Sequence, residues 1–265
     1  MKSSRTVELR RNKIVAWVNA HGHTQVEALS AQFGTSEVTI RKDLAALAAE
    51  GLLIRQFGGA VPASGSLTAL LTHPQINAST DDVGLNGIGK TASTLIRPGD
   101  KLVIDCGATT STILPFLSDI DGLVVMTNAL ATANYLTQSE KEPTVLMTGG
   151  TWDAQSQSFQ GAMAEQLVSA YSFDIAFIGA AGIDVNRGTT TFNELTGVTR
   201  AMAAAASKVV VMASSNKLVH KMPNLELGWS DISVLITDKN MRDEDRQNIE
   251  NQGVKVIIAL PNGEE

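Results

Sequence analysis

Hydrophobic residues in the first fifty positions recur at the three- and four-residue spacing of amphipathic helices, in three successive segments. Their apolar stripes are, in order, Val7, Leu9, Ile14, Val15 and Val18; Val26, Leu29 and Phe33; and Ile40, Leu44, Leu47 and Ala48. Gly22 ends the first segment, about 6–20, and Gly34 supplies a tight turn after the second. The pattern predicts three short helices, the second and third joined by a turn of three or four residues.

Helix-start signals stand before the second and third helices. Thr24 is followed three residues later by Glu27, the spacing of a capping box in which the hydroxyl accepts a backbone N–H and the carboxylate reaches back. Thr35 or Ser36 is placed to cap the third helix. Two short helices joined by a turn that contains glycine are typical of a helix-turn-helix, here at about 24–43.

The third helix has polar residues off its apolar stripe near its N-terminal end, where a recognition helix presents side chains to base edges. These candidate DNA contacts are Ser36, Glu37, Thr39, Arg41 and Lys42. The strand-like stretch 52–57 precedes Gly58 and Gly59 and predicts a wing, with Arg55 placed to reach a phosphate or the minor groove. The alternative is a generic three-helix packing module whose basic residues are only solvated.

Beyond position 100, short apolar runs alternate with helical patterns. The predicted strands are 101–105, 123–126, 144–147, 175–178, 209–212, 234–236 and 254–258, and the predicted helices are 110–117, 129–137, 162–170, 195–207 and 242–251. Such alternation predicts an α/β domain with a mostly parallel sheet between helices. Small and polar residues at 62–82 predict a linker between a DNA-binding domain at 1–61 and an α/β domain at 83–265.

Glycines and polar residues follow five of the predicted strands, where a parallel sheet collects its ligand-binding loops. The candidate effector contacts are Asp105, Gly107, Thr109, Thr110, Thr127, Asn128, Gly149, Gly150, Gly179, Glu194 and Lys217. Backbone N–H groups of loop 105–111 suit a phosphate at a helix N-terminus, and Lys217 offers a compact cation. Each loop taken alone is equally typical of a turn, and Asn193 with Glu194 fits a helix start as well as a binding site.

Net charge and composition restrict the classes of partner that the chain is expected to bind. The 265 residues carry a net charge of −6, but eight basic and five acidic residues give positions 1–61 a charge of +3. A basic head on an acidic body favours contact of the head alone with a polyanion, although so small an excess also arises by chance. A lone cysteine, Cys106, fits a reducing cytoplasm. Four scattered histidines predict no metal site, and the absence of an apolar run of about 20 residues or a signal peptide predicts no membrane association.

Several motifs resemble one family. The residues SEVTIRKDL at 36–44, with Gly51, Arg55 and FGGA at 57–60, resemble the winged helix-turn-helix of DeoR-type bacterial transcription regulators. The segments DCGATT at 105–110, MTN at 126–128, TGG at 148–150 and FIG at 177–179, with Lys217, resemble their sugar-phosphate sensor domain, which is similar in fold to ribose-5-phosphate isomerase. TTFNE at 190–194 and KMPN at 221–224 look closest to the glucitol- and galactitol-operon repressors.

The resemblance implies a cytoplasmic, homodimeric or homotetrameric repressor of a carbohydrate or polyol catabolic operon. It implies that Arg41 and its neighbours read double-stranded operator DNA and that a phosphorylated sugar or polyol relieves repression, with no cofactor and no catalysis. Two segments depart from the family. Ala181 and Ser214 stand where many relatives carry aspartate, and Leu218 and Val219 follow Lys217 where relatives often carry Phe-Gly.

Two other functions compete with this reading. A sugar-phosphate isomerase with an accessory DNA-binding domain would use Asp184 or Glu194 as base and Lys217 as electrophile, but Ala181 and Ser214 weaken its acidic set. A ligand-independent architectural DNA binder would leave the polar loops without a purpose.

Overall fold

The computed structural model describes residues 24–49, 52–56, 59–62, 82–154, 156–191, 196–219 and 222–260, together with 7, 10, 11, 13–15, 17 and 18. The chain divides into two compact units, Met1–Thr72 and His73–Glu265. The predicted linker 62–82 lies outside the described residues except at its two ends, so the domain bounds 1–61, 62–82 and 83–265 stay a prediction. No helix among the described residues is long and apolar enough to cross a membrane.

The N-terminal unit has the predicted helix-turn-helix, followed by a hairpin. Helical residues lie between positions 7 and 18. The other elements are β1 (Thr24–Gln25), α1 (Val26–Phe33), α2 (Glu37–Ala49), β2 (Leu53–Gln56) and β3 (Gly59–Pro62). Gly34 ends α1 in the left-handed conformation, with φ 58°, as a turn glycine should. The predicted apolar stripes bury one shared core, which includes Ile14, Leu29, Ile40, Leu44 and Leu47.

The predicted capping box at Thr24 is wrong. Thr24 and Gln25 form strand β1, which pairs antiparallel with β3, so Thr24 lies opposite Ala60. Gln25 occupies the N-cap position of α1, and its side chain makes no capping hydrogen bond. Pairing with the wing holds this segment extended in place of the side-chain cap.

The C-terminal unit alternates strands and helices, as predicted. Its elements are α3 (Asp82–Ser93), β4 (Lys101–Ile104), α4 (Ala108–Ser111), β5 (Val124–Thr127), α5 (Leu130–Leu136), β6 (Thr144–Met147), β7 (Thr151–Asp153), β8 (Ser158–Gln160), α6 (Ala162–Ser169), β9 (Phe173–Gly179), β10 (Gly182–Asp184), β11 (Gly188–Thr191), α7 (Gly197–Ala204), β12 (Ala206–Met212), β13 (Asn224–Gly228), β14 (Val234–Asp238), α8 (Asp243–Glu250) and β15 (Lys255–Ala259). Short 3-10 helices cover Leu114–Phe116, Ser215–Val219 and Trp229–Asp231.

Seven strands form one parallel sheet in the order β15-β14-β12-β9-β4-β5-β6. Alternate side chains of each strand enter opposite cores. Val103 packs in the core that includes residues of α6, α7 and α8, whereas Leu102 and Ile104 pack in the core that includes residues of α3 and α5. The predicted α/β class is confirmed, and all seven predicted strands lie in this sheet.

Helix α3 was not predicted, because three glycines interrupt its pattern. A Cβ at Gly89 would overlap the carbonyl oxygen of Thr112, and one at Gly87 would crowd the carbonyl oxygen of Leu260. These glycines therefore let the helix approach neighbouring backbone closely, while Ile88 and Ala92 are fully buried. The glycines that weaken the helix in isolation are required by its packing.

Candidate functional site

The predicted recognition helix, α2, begins with a local network of polar side chains. Ser36 Oγ accepts the backbone N–H of Thr39 at 3.3 Å and lies 2.9 Å from the Thr39 hydroxyl, so Ser36 caps the helix as predicted. One turn along, the Arg41 guanidinium donates to the Glu37 carboxylate at 2.7 Å. Arg41 and Lys42 are exposed, and they present positive charge near the start of the helix.

Asp43 ties α2 to the first helical segment. Its carboxylate is buried and accepts the Nε–H groups of Arg10 at 2.7 Å and Arg11 at 3.0 Å. Both arginines are partly exposed, and the structure joins each of them to this one carboxylate. The pair fixes the orientation of α2 within the unit.

The predicted wing is the hairpin of β2 and β3. Arg55 lies in β2 opposite Ala60 of β3. The structure describes Arg55 by its backbone alone, so the contact of its side chain with a phosphate or the minor groove stays a prediction.

The second candidate site is the edge of the parallel sheet at which the strands end. Strands β12, β9, β4, β5 and β6 are consecutive neighbours, and the predicted effector loops follow these five strands. The loops carry Lys217, Gly179, Asp105 to Thr110, Thr127 with Asn128, and Gly149 with Gly150, in that spatial order. Glu194 lies outside the described residues. The structure thus brings ten of the eleven predicted effector residues to one edge.

Asp105 organises the centre of this edge. Its Oδ1 accepts the Gly107 N–H at 2.8 Å and the Thr110 hydroxyl at 2.6 Å, and its Oδ2 accepts the Gly179 N–H at 2.7 Å. Burial raises the pKa of this carboxyl, although the three hydrogen bonds oppose the shift. Asp105 therefore holds loop 105–111 against the end of β9, and its oxygens are occupied within the protein.

Two of the predicted hydroxyl contacts are also committed internally. The Thr110 side chain is fully buried against Asp105 and the Gly107 carbonyl. Thr127 Oγ1 is equally buried and accepts the Ala129 N–H at 3.1 Å. These residues shape the loops. The expected helix N-terminus contributes little, because α4 has only four residues and so sums few peptide dipoles.

Asn128 is different, because it retains an unused acceptor. Its Nδ2 makes a long contact of 3.4 Å to the Phe159 carbonyl, while its buried Oδ1 has no hydrogen-bond partner within the described part of the chain. Oε1 of Gln160, in strand β8, is likewise buried and has no hydrogen-bond partner among the described residues. Buried acceptors without partners are uncommon, and they mark a place where a ligand or ordered water can bind.

Lys217 lies in a short 3-10 helix that a carboxylate holds in place. Asp238, at the end of β14, accepts the Ser215 N–H at 2.8 Å and the Ser215 hydroxyl at 2.7 Å. Burial acts to raise the pKa of Asp238, but the hydrogen bonds from Ser215 and from the Asn240 N–H together lower it below its usual value. The Lys217 side chain is half-buried, and its segment packs against β10.

Glu226 belongs to the same region but was missed by sequence analysis. Thr189 lies opposite Leu227 and Thr190 opposite Leu225, so Glu226 is the extra residue of a β-bulge between β11 and β13. Burial, followed by the nearby Asp105 carboxylate, raises the pKa of Glu226 to about 7. No sequence signal marks a single glutamate in an apolar strand as a second acidic group beside Asp105.

Cys106 is also close to both carboxyl groups. Burial, with smaller contributions from Asp105 and Glu226, raises the pKa of its thiol to about 11. The thiol is therefore protonated at neutral pH, which makes it a poor nucleophile.

Comparison with known proteins matches both units to domains of DeoR-type proteins. Residues 10–65 match the DeoR-like helix-turn-helix domain, and residues 86–239 match the DeoR C-terminal sensor domain. The chain is 32% identical to a protein of Escherichia coli O157:H7 named "Putative aga operon transcriptional repressor", over 94% of this chain and 93% of that protein. It is 31% identical to the HTH-type transcriptional regulator GlpR of Haloferax volcanii, over 95% and 97% of the two chains.

Among solved structures, the chain is similar to ribose 5-phosphate isomerase A from Methanocaldococcus jannaschii. That match has 16% identity and a TM-score of 0.39, and it covers 53% of this chain and 56% of that chain. A further relative, the transcriptional repressor AccR of Agrobacterium fabrum, is 30% identical over 88% of this chain and 90% of its own length.

Proposed function

The chain belongs to the DeoR family of transcription regulators, and from this premise we propose that it represses a carbohydrate or polyol catabolic operon until a phosphorylated sugar or polyol binds its C-terminal unit. The observation that carries the proposal is the convergence of polar loops at the ends of five neighbouring strands, in a chain that also has a helix-turn-helix. The active form is a homodimer or homotetramer that works in the cytoplasm.

The DNA side of the proposal rests on α2. Arg41 and Lys42 are exposed near its N-terminal end, the part of a recognition helix that reaches base edges. Arginine pairs well with guanine because its guanidinium makes two parallel hydrogen bonds to O6 and N7. Glu37 orients Arg41 before DNA binds.

The effector side rests on the sheet edge. Backbone N–H groups of loop 105–111, with Thr109 and Lys217, bind the phosphate, while Asp105 keeps the loop in shape without touching an anion. Asn128 accepts a hydroxyl of the effector, because its Oδ1 is buried and lacks a partner among the described residues. Coupling follows if the effector binds the DNA-competent and DNA-incompetent states with different affinities.

The isomerase alternative is less well supported. Isomerisation requires a general base beside the substrate carbon. Asp105 is occupied by three hydrogen bonds, and Ala181 and Ser214 supply no carboxylate. Asp184 does carry a carboxylate, but one oxygen accepts the Asn186 N–H at 2.9 Å.

The test uses the full-length protein. A duplex bound by the wild type is selected from a random DNA pool, and phosphorylated sugars and polyols are screened by thermal shift, because binding to the native state raises stability. Operator affinity is then measured with and without each hit. We expect a hit to weaken operator binding by roughly 5- to 150-fold, the usual range of allosteric coupling. Turnover of ribose 5-phosphate would support the isomerase instead, and operator binding that no hit changes would support the architectural protein.

A further inference from the structure

The face of α2 opposite its buried stripe carries one large apolar residue among charged ones. Val38 is 60% exposed, whereas Ile40, Leu44 and Leu47 on the other face are at most 1% exposed. We propose that Val38 reads the 5-methyl group of a thymine in the major groove of the operator. The inference rests on the proposed DNA-binding function and assigns a base contact to a residue that sequence analysis passed over.

Spacing places Val38 on the same strip as the basic residues. Arg41, Lys42 and Ala45 follow it at three, four and seven positions, which is the repeat of one helix face, and all are exposed. Val38 stands in the first turn of the strip, where a recognition helix meets base edges. Ala45, further along, is small enough to let the helix approach closely.

The polar neighbours of Val38 in the first turn are bonded to one another. Ser36 and Thr39 are joined by the cap, and Glu37 holds Arg41 at 2.7 Å. Val38 makes no such interaction and buries little of its surface within the protein. An exposed valine in this position therefore has apolar surface available for a partner.

The chemistry of the strip favours DNA as that partner. The thymine methyl is the apolar group that base pairs present in the major groove, and small apolar side chains contact it. Arg41 and Lys42 on either side complement phosphates and guanine acceptors. A second copy of this helix would bring the same cations together, so the charge of the strip disfavours a symmetric contact between copies.

The experiment removes the methyl group and leaves the rest of the operator intact. Each thymine of the selected operator is replaced in turn by deoxyuridine, and affinity is measured for wild type and Val38→Ala. We expect one position per half-site at which the wild type loses roughly three- to tenfold, as for one buried methyl group. On the unsubstituted operator, Val38→Ala should bind more weakly than the wild type by a similar factor. Replacing that same thymine by deoxyuridine should then weaken the binding of Val38→Ala no further.

Alanine favours a helix more than valine does, so Val38→Ala should fold as the wild type does. Met163→Ala removes another exposed apolar side chain, on α6, and should bind every operator like the wild type. Equal losses by Val38→Ala on all substituted and random duplexes would overturn the methyl contact, as would unchanged affinity. A changed oligomeric state would point to a second copy instead. If the wild type selects no duplex, the proposed function itself fails.

Discussion

The backbone N–H of Gly179 donates to Oδ2 of Asp105 over 2.7 Å, and this contact joins the ends of β9 and β4. The other oxygen of the same carboxylate holds the Gly107 N–H and the Thr110 hydroxyl. The shape of loop 105–111 thus depends on a side chain that only accepts hydrogen bonds. An amide of the same size presents two donors and one acceptor oxygen.

Asp105→Asn should therefore destabilise the protein by about 1–3 kcal/mol, since one backbone N–H or the Thr110 hydroxyl is left facing an NH₂ group. Urea unfolding measures the change. Asp174→Asn is the matched control, because its carboxylate also accepts a backbone N–H, from Lys101 at 2.8 Å, but in an exposed place. If Asp174→Asn lowered the free energy of unfolding as much as Asp105→Asn, the role of Asp105 in holding loop 105–111 would be contradicted.

Glu226 should make stability fall as pH rises. Its pKa is about 7 in the folded protein against an ordinary value of 4.5, so the folded state retains a proton that the unfolded state loses. Between about pH 4.5 and 7 the protein should lose on the order of 3 kcal/mol of stability from this group, and above pH 7 no more.

Glu226→Gln isolates that contribution. The variant should match the wild type near pH 4.5 and exceed its stability above pH 7, in chemical unfolding followed across this range. The groups whose charge acts on Glu226 are Asp105, which raises its pKa, and Arg200, which lowers it. Glu140→Gln changes an exposed glutamate and should leave the profile unaltered. Parallel profiles for wild type and Glu226→Gln would refute the raised pKa.

Gly89→Ala should destabilise the C-terminal unit although alanine is the better helix former. The new Cβ meets the Thr112 carbonyl oxygen, and overpacking of this kind costs about 1–3 kcal/mol, more than the gain of about 1 kcal/mol in helix propensity. Gly228→Ala meets nothing closer than 3.5 Å, so it should be nearly neutral. Thermal unfolding compares the two, and a more stable Gly89→Ala protein would contradict the packing.

Asp43→Ala should loosen the N-terminal unit, because it leaves Arg10 and Arg11 without their shared carboxylate. Both guanidinium groups are partly exposed, so we expect a loss of about 1–3 kcal/mol, below the value for a fully buried pair. Hydrogen exchange of α2 reports it. Asp121→Ala breaks the exposed pair with Lys141 and should leave stability nearly unchanged, because solvent screens such surface pairs.

Lys217→Ala should separate effector sensing from DNA binding. Operator affinity should stay near that of the wild type, while the effector concentration needed for release rises roughly 10- to 100-fold, as for the loss of a charge-assisted hydrogen bond. Lys255→Ala is the control, because Lys255 begins β15 and lies at the opposite edge of the sheet. If Lys217→Ala released the operator at the same effector concentration as the wild type, the phosphate would have to bind elsewhere.

The elements that could be predicted from sequence are those with local signals. Runs such as 144–147 are apolar and bounded by turn formers, and the turn at Gly34 needs a positive φ that glycine adopts freely. Position in a parallel sheet then brings the strand-end loops together without any knowledge of side-chain contacts. The grouping of the polar loops at one edge of the sheet could be predicted from this rule, while their role in binding an effector stays a prediction.

The remaining features depend on tertiary contacts. The glycines of α3 weaken a helix pattern and are required by neighbouring backbone. Thr24 looks like a cap and pairs with β3 instead. Glu226 becomes a second acidic group near Asp105 because a bulge adds one residue to β13, and a register shift of that kind has no local signature.

The pairing of Arg10 and Arg11 with Asp43 also bears on how the protein searches a genome. Affinity for random DNA comes from cations that displace counterions from phosphates, with log K falling by about 0.9 per contact for each tenfold rise in salt. The single negative charge of Asp43 offsets one of the two positive charges that Arg10 and Arg11 carry, so these two of the eight basic residues in positions 1–61 contribute a net charge of only +1. The duplex therefore meets less free positive charge than the number of basic residues alone suggests, so fewer molecules are held on unrelated sequence and more remain available for the operator.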